Sequence, residues 1–265
     1  MKTRILSWFK SDPVPVRSDG PRELHHDNGQ LEFKGNFRDG QREGCHEQYY
    51  DNGQLECRGH YTAGKLDGLE EWFRRDGGLR QRQTYKGGIK DGPWEMFHAN
   101  GTLRSRGGFV KGERNGPFEV YYANDQLRSK GTHKDDQRVG PYESYHENGQ
   151  LEATGIFTAG KKTGPWVKFH PNGQVEQKGS YKDDLPDGLL ETFHDDGQPK
   201  VREHYQDGRQ DGSYESYDDK GRLKTRSAFK GGRLDGPYEL YDESGKLTEK
   251  GTYKDGAKRD LQRRS

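Results

Sequence analysis

The 265-residue sequence is very polar: 26% of residues are hydrophobic, 34% are charged, and the mean hydropathy is −1.37. This composition excludes a large apolar core, and no apolar run reaches the roughly 18–20 residues of a membrane-spanning helix. The net charge is only +1, which argues against nucleic-acid binding, because nucleic-acid-binding proteins carry a basic excess. Two cysteines, Cys45 and Cys57, are too few for a disulfide framework, so we expect a reducing, cytoplasmic location.

The N-terminal segment, residues 1–19, lies outside the pattern that follows. Its mostly apolar stretch from Ile5 to Phe9 is shorter than the roughly 7–15 residues of a secretory signal. We predict that the segment caps the first hairpin, because a terminal repeat needs its open edge covered. The alternative is a short amphipathic membrane anchor in which basic residues flank Trp8 and Phe9.

From Gly20 onward a 24-residue period repeats without insertion or deletion. Its phase is marked by the glycine of an Asn-Gly or related turn. A leucine usually follows two residues after this marker, and an aromatic residue eight residues after it. The markers are Gly29, Gly53, Gly77, Gly101, Asp125, Gly149, Gly173, Gly197, Gly221 and Gly245.

Each period predicts a β-hairpin, with a first strand like "PWEMFH" and a second strand like "QLECRGHY". The Asn-Gly between them is predicted to form a two-residue turn, with positive φ at both residues. A Gly-rich connection such as "TAGKLDG" then leads to the next period. The predicted fold is all-β: a single-layer antiparallel β-meander solenoid of about ten 24-residue hairpin repeats, elongated and twisted.

A two-residue turn would place Glu47 opposite Arg58 on one face, with the aromatic residues and leucines packing on the other. In most copies a glutamate has a basic partner eleven residues later, and each such pair stabilises a sheet by about 0.2–1 kcal/mol. Two consecutive rungs of this ladder break. Glu143 is predicted to face Thr154, which leaves it without a basic partner, and Val167 is predicted to face Lys178.

The segment "YYDNGQLECRGHYTAGKLDG" from Tyr49 resembles the MORN repeat, and more closely its bacterial variant. The resemblance implies a repeat domain over residues 20–258, with an N-terminal extension or cap at 1–19 and a basic tail at 259–265. It implies a non-enzymatic protein of the antitoxin or immunity type, which binds a toxic effector such as a phospholipase of type VI secretion. Eukaryotic relatives supply the alternative, a structural scaffold or membrane-peripheral module.

No sequence motif of a hydrolase, a zinc protease or a phosphate-binding loop is present. Histidines recur in one column, at His98, His146, His170 and His194, and consecutive copies lie roughly 9–10 Å apart in a sheet. Metal ligands must lie about 2 Å from a shared ion, so these histidines cannot form one site. We therefore expect no metal, no cofactor and no catalytic residue.

Comparison of the repeats with one another identifies a central region that departs from the common pattern. We predict that this region contacts a protein partner, a cognate toxin or effector. Because the eighth copy also departs, at Pro199 and Glu203, neutral drift is the alternative explanation. The candidate partner-binding residues are Tyr122, His133, Asp135, Asp136, Glu143, His146, Thr154, Val167, His170, Asp183 and Asp184.

Overall fold

The structure, a computed structural model, describes residues 19–259, and the regular structure in this range is entirely antiparallel β-strand. The predicted all-β meander of hairpin repeats is therefore confirmed. By its internal contacts the chain divides into two compact units. The first runs to Leu103 and includes Gly108–Gly112, and the second is Arg104–Gly107 with the residues from Glu113 onward. The predicted N-terminal cap and all but the first residue of the basic tail lie outside the described residues.

In the first unit each strand from β1 to β6 pairs with the next strand along the chain. The last strand, β8, also contributes its central residues to the second unit. The strands are β1 (Gly20–His25), β2 (Leu31–Arg38), β3 (Gln41–Tyr49), β4 (Leu55–Thr62), β5 (Lys65–Phe73), β6 (Leu79–Lys86), β7 (Ile89–Phe97) and β8 (Leu103–Val110).

The second unit is also a hairpin meander, and within it the central residues of β8 pair with β10. Two of its strands, β9 and β20, contain only two residues each. The strands are β9 (Glu113–Arg114), β10 (Gly116–Tyr121), β11 (Leu127–Lys134), β12 (Gln137–Tyr145), β13 (Leu151–Thr158), β14 (Lys161–Phe169), β15 (Val175–Lys182), β16 (Leu185–Phe193), β17 (Pro199–Gln206), β18 (Arg209–Tyr217), β19 (Leu223–Lys230), β20 (Arg233–Leu234), β21 (Gly236–Tyr241), β22 (Leu247–Lys254) and β23 (Ala257–Arg259).

The Asn-Gly turns differ from the prediction, because their loops contain three residues rather than two. Between β3 and β4, the Gly53 N–H donates to the Tyr50 carbonyl at 2.9 Å, and the Tyr50 N–H donates to the Gln54 carbonyl at 2.8 Å. Gly53 has a φ of 81°, whereas the preceding Asn52 has no positive φ. This is a type I turn followed by a left-handed glycine. An extra residue, Glu56, then forms a bulge that restores the predicted register.

Turns with two positive-φ residues lie at the opposite edge of the sheet. Thr62 pairs with Lys65 across Ala63 and Gly64, whose φ angles are 47° and 75°. This geometry is a type I′ turn, whose twist matches that of the flanking strands. The predicted Gly-rich connection is therefore a tight hairpin itself. We call the two sides of the sheet the Asn-Gly edge and the type I′ edge.

Hydrogen bonds tie successive repeats together at both edges. At the Asn-Gly edge, the Asn52 side chain accepts from the Gln54 N–H at 3.1 Å and donates to the Arg75 carbonyl of the next repeat at 2.8 Å. At the type I′ edge, the Gly64 N–H donates to the Arg42 carbonyl at 2.9 Å. The two bonds between repeats join residues 23 and 22 positions apart, and an inserted residue would break them. They account for the constant period.

The body of each hairpin has the predicted register, and its two faces differ in character. Glu47 pairs with Arg58, and the adjacent His46 pairs with Gly59. The packing face carries the buried aromatic rings. A side chain at Gly131 would place its Cβ 2.9 Å from the ring of Phe118, so the ring requires glycine there. The buried apolar residues are Phe33, Phe37 and Tyr61 in the first unit, and Phe118, Phe157, Trp166, Leu190 and Tyr238 in the second.

Candidate functional site

The face opposite the packing face, here called the ladder face, carries a row of acidic and basic residues that are direct cross-strand neighbours. In the first unit the row is Glu23, Lys34, Glu47, Arg58, Glu71, Arg82 and Glu95. In the second unit it is Arg106, Glu119, Lys130, Glu143, Thr154, Val167, Lys178, Glu191, Arg202, Glu215, Arg226, Glu239 and Lys250.

Most basic residues in the row lie between two acids, and each of these usually bonds the acid that follows in the chain. Lys130 contacts Glu143 at 2.8 Å, and Lys178 contacts Glu191 at 2.9 Å. The predicted eleven-residue pairing also occurs, as between Arg202 and Glu191 at 3.0 Å. The prediction was right about the cross-strand neighbours but wrong about which ion pair closes in most hairpins.

Aromatic residues on the ladder face complete these contacts. The Tyr145 hydroxyl donates a hydrogen bond to Glu143, and the ring of Tyr145 lies 6.0 Å from the Lys130 ammonium. Hydrogen bonds from Lys130 and then Tyr145 lower the pKa of Glu143. Tyr217 and Glu215 repeat the hydrogen bond at 2.6 Å. The charges are therefore held in fixed positions, although exposed pairs of this kind add only about 0–1 kcal/mol each.

The break in the ladder is real, but its charges are not left unpaired. Thr154 faces Glu143, and Val167 faces Lys178, as predicted. Thr154 and Val167 are also neighbours of each other across β13 and β14. The interpretation that Glu143 lacks an ionic partner is wrong, because Lys130 supplies one. The row therefore contains a neutral gap of two residues between complete ion pairs.

Exposed apolar side chains lie near this gap, on β13 and β16, and the sequence comparison missed them. Ile156 is 44% exposed and Leu189 is 41% exposed. Ile156 and Thr154 lie two residues apart on β13, so strand alternation places both on the ladder face. The adjacent Phe157 packs against Trp166 on the packing face. A signal was available, since the equivalent position is polar in most other copies. We call the following set the apolar patch: Pro141, Thr154, Ile156, Pro165, Val167 and Leu189.

His133 is a half-buried member of the packing face. It pairs with Gly116, and its ring centroid lies 4.4 Å from that of Phe118. Burial lowers the pKa of His133, and the nearby Arg114 and Arg138 lower it further. The imidazole therefore occupies the place that a Phe or Tyr takes in other repeats.

Replacing His133 by phenylalanine is expected to stabilise the protein more at pH 5 than at pH 8. The folded pKa of His133 lies below its ordinary value of 6.5, so the folded state favours the neutral ring. The stability contributed by the neutral ring is present above pH 6.5 and is lost as the pH falls through the folded pKa. Urea denaturation of both proteins at the two pH values measures the difference. An equal effect at both would contradict the assignment.

The four predicted aspartates lie in two type I′ turns. Asp135 and Asp136 have φ angles of 50° and 63°, and Asp183 and Asp184 have 53° and 71°. Both pairs are exposed at the type I′ edge. The two turns are two repeats apart, which is four strand spacings or about 19 Å.

The second aspartate of each pair accompanies a missing acid one repeat earlier. In most copies an acid caps the next turn, as Asp67 does by accepting from the Gly87 N–H at 3.2 Å. Asn115, Val139 and Thr163 replace that acid in three copies, and the turn after Val139 contains no carboxylate. In the copies with Asn115 and Thr163, the turn carboxylate takes over the bonding in reverse. Asp136 accepts from the Arg114 N–H at 3.0 Å, and Asp184 accepts from the Lys162 N–H at 2.8 Å.

Tyr122, His146 and His170 bond the next repeat near the Asn-Gly edge. The Tyr122 hydroxyl donates to the Tyr145 carbonyl at 2.8 Å. The imidazoles of His146 and His170 contact the carbonyls of Phe169 and Phe193 at 2.9 and 3.1 Å. These three residues tie repeats together.

The predicted site residues therefore occupy four separate places. Glu143, Thr154 and Val167 lie on the ladder face, and the aspartates lie at the type I′ edge. The Tyr122 column lies near the Asn-Gly edge, and His133 is on the packing face. The structure does not gather them into one cluster, and their role in partner binding stays a prediction.

Both cysteines are free thiols. Cys57 pairs with Gln48 and Cys45 with His60, so the two point to opposite faces as predicted. Burial raises the pKa of Cys57 to about 12. Within residues 19–259, no three His, Cys, Asp or Glu side chains are grouped as a metal site would require. In the same range, no helix has the length and apolar character needed to cross a membrane.

No curated protein sequence matches the chain. Among solved structures, the crystal structure of the GtfA/B complex bound to UDP and GlcNAc is 16% identical, with 56% of this chain and 25% of that chain covered and a TM-score of 0.20. The crystal structure of TcdB2-TccC3 is 12% identical, with 85% and 15% covered and a TM-score of 0.23. The chain thus spans a quarter or less of the length of these chains.

The model of the MORN repeat variant matches eight segments, at residues 18–39, 42–63, 90–111, 114–135, 138–158, 162–183, 186–207 and 234–255. The unmatched stretches between these segments contain strands with the same hairpin geometry, for example β5 and β6. Because the matched segments make up more than half of the chain, the protein belongs to the MORN repeat variant family.

Proposed function

We propose that this protein is a non-enzymatic antitoxin or immunity protein that neutralises a toxic effector in the cytoplasm by binding it directly. The observation that carries the proposal is the pair of exposed acidic turns at the type I′ edge, at Asp135–Asp136 and Asp183–Asp184. They lie about 19 Å apart on one unit, within the span of a standard protein interface. Their carboxylates fit a partner with a basic surface, such as the mouth of a phospholipase-type effector.

Removing the second carboxylate of each turn is expected to weaken partner binding at least tenfold and leave the fold intact. Asp136→Gly with Asp184→Gly removes a hydrogen bond worth about 1 kcal/mol at each turn. Glycine also relieves a similar cost of positive φ, so the net stability change is small. Capture from the native host with the tagged chain supplies the partner, and calorimetry with the purified partner measures affinity.

The matched control changes the same kind of turn in the terminal hairpins. Asp39 and Asp255 also have positive φ, and Asp39→Gly with Asp255→Gly is expected to leave partner affinity unchanged. Normal partner binding by the Asp136→Gly, Asp184→Gly variant, together with loss of binding by the Asp39→Gly, Asp255→Gly variant, would contradict the proposal. Expression of the captured partner alone should kill cells, and co-expression of this chain should prevent the killing.

The alternative function is a scaffold or membrane-peripheral module. Flotation of the full chain with lipid vesicles, lost on deletion of residues 1–10, would support it. Those residues lie outside the described part of the structure. A stoichiometric toxic partner without flotation supports the immunity function instead.

A further inference from the structure

We propose that two copies of this chain associate through their ladder faces, with the apolar patch at the centre. Two independent features coincide there. The charge row is interrupted by the neutral pair Thr154 and Val167, and the neighbouring row presents the exposed side chains of Ile156 and Leu189. Elsewhere in the row from Arg106 to Lys250, each cross-strand neighbour pair joins opposite charges or borders this gap.

The order of charges on the two sides of the gap indicates that the partner bound at this face is a second copy of the chain. Moving outward, one side has Glu143 and then Lys130, and the other has Lys178 and then Glu191. A two-fold axis parallel to the strands reverses the row in the second copy. Glu143 then faces Lys178 of the second copy, and Lys130 faces its Glu191. An axis along the row would instead place identical charges opposite each other.

The neutral gap determines the register of this pairing. A row of alternating charges can pair with a reversed copy of itself at several positions of the two-fold axis. Every axis position other than the neutral gap would put an ion pair at the buried centre. Removing ion pairs from water costs several kcal/mol per ion unless the geometry compensates. Centring the axis between Thr154 and Val167 buries apolar groups and leaves the ion pairs at the rim. An apolar centre with a polar rim is the usual organisation of a protein interface.

The area available is close to what a stable dimer needs. The seven strands β11–β17 cover about 29 Å at about 4.8 Å per spacing, and about seven residues per strand cover about 24 Å. The resulting face is on the order of 700 Å² per copy, against roughly 800 Å² in a standard interface. All seven strands belong to the second unit. The type I′ edge stays uncovered, so dimerisation and effector binding are independent proposals.

Sedimentation equilibrium of the full chain tests the proposal. The native chain is expected to form a dimer, and Ile156→Glu is expected to raise the dimer dissociation constant at least tenfold. Leu69→Glu is the matched control, because Leu69 is 46% exposed on the ladder face of the first unit. A native chain that stays monomeric at high micromolar concentration would overturn the proposal. Equal effects of the two variants would overturn it too.

A charge swap tests the axis itself. Glu143→Lys alone and Lys178→Glu alone are each expected to weaken the dimer, because each places like charges opposite across the axis. The double variant restores opposite charges between copies and should recover most of the affinity. Within each copy the double variant puts like charges beside Lys130 and Glu191, so improved folding would not explain recovery. If the double variant weakened the dimer by the sum of the two single effects, this axis would be ruled out.

Discussion

Replacing Trp166 by alanine is expected to lower the free energy of unfolding of the second unit by about 3–5 kcal/mol. The Trp166 side chain is only 6% exposed. Its ring lies 5.1 Å from that of Phe157 and 6.0 Å from that of Tyr142, between centroids. Its indole N–H donates to the Ile156 carbonyl at 3.2 Å. A single-layer sheet has few neighbours that can move in to fill the cavity.

Hydrogen exchange measures this effect locally, because a chain of repeats can unfold in parts. Protection should fall most in β13 and β14. Trp72→Ala is the control, since Trp72 is only half-buried and a smaller loss is expected. A loss below about 1 kcal/mol for Trp166→Ala would show that the packing face contributes little to stability.

Replacing Gly155 by alanine is expected to cost about 1–3 kcal/mol, because the new methyl group would overlap the ring of Trp166. Gly155 has no positive φ, so the cost is steric. The two changes are therefore coupled. In a chain that already carries Trp166→Ala, the cost of Gly155→Ala should nearly vanish, which urea denaturation of the four proteins would show.

Ser227→Ala is the matched control for the glycine change. Ser227 occupies the same column as Gly155, and it is buried opposite Tyr214 with room for a side chain. Its replacement should change stability by less than about 1 kcal/mol. Strictly additive costs for Gly155→Ala and Trp166→Ala would contradict the proposed contact.

The fold could be predicted because the repeat compares the chain with itself. Constant spacing and the Gly, Leu and aromatic columns predict a hairpin meander, and the pairing of Glu47 with Arg58 followed directly. The ring over Gly155 was harder to predict. It comes from Trp166 on the following strand rather than from Tyr142 opposite. A central strand has two neighbours, and the pattern of one hairpin describes only one of them.

Turn types and ion pairs could not be predicted, for related physical reasons. Asn-Gly favours a two-residue turn, but Asn52 here also bonds to Arg75 of the next repeat, and this tertiary bond accompanies a three-residue loop. Likewise Lys130 has an acid on each side, and side-chain geometry decides that it bonds Glu143. Asp136 and Asp184 looked like individual departures, yet they compensate for acids missing at Asn115 and Thr163.

The bonds between repeats make each period an interchangeable part. The Gly64 N–H bonds to Arg42, and the Asn52 side chain bonds to Arg75, whichever residues stand there, because both acceptors are backbone carbonyls. When one whole 24-residue period is removed or duplicated, the chain ends that are joined have matching geometry, wherever in the repeat the cut falls. Unequal recombination could therefore lengthen or shorten the protein in whole repeats. The length of the sheet can evolve independently of the residues that make any one repeat different from the others.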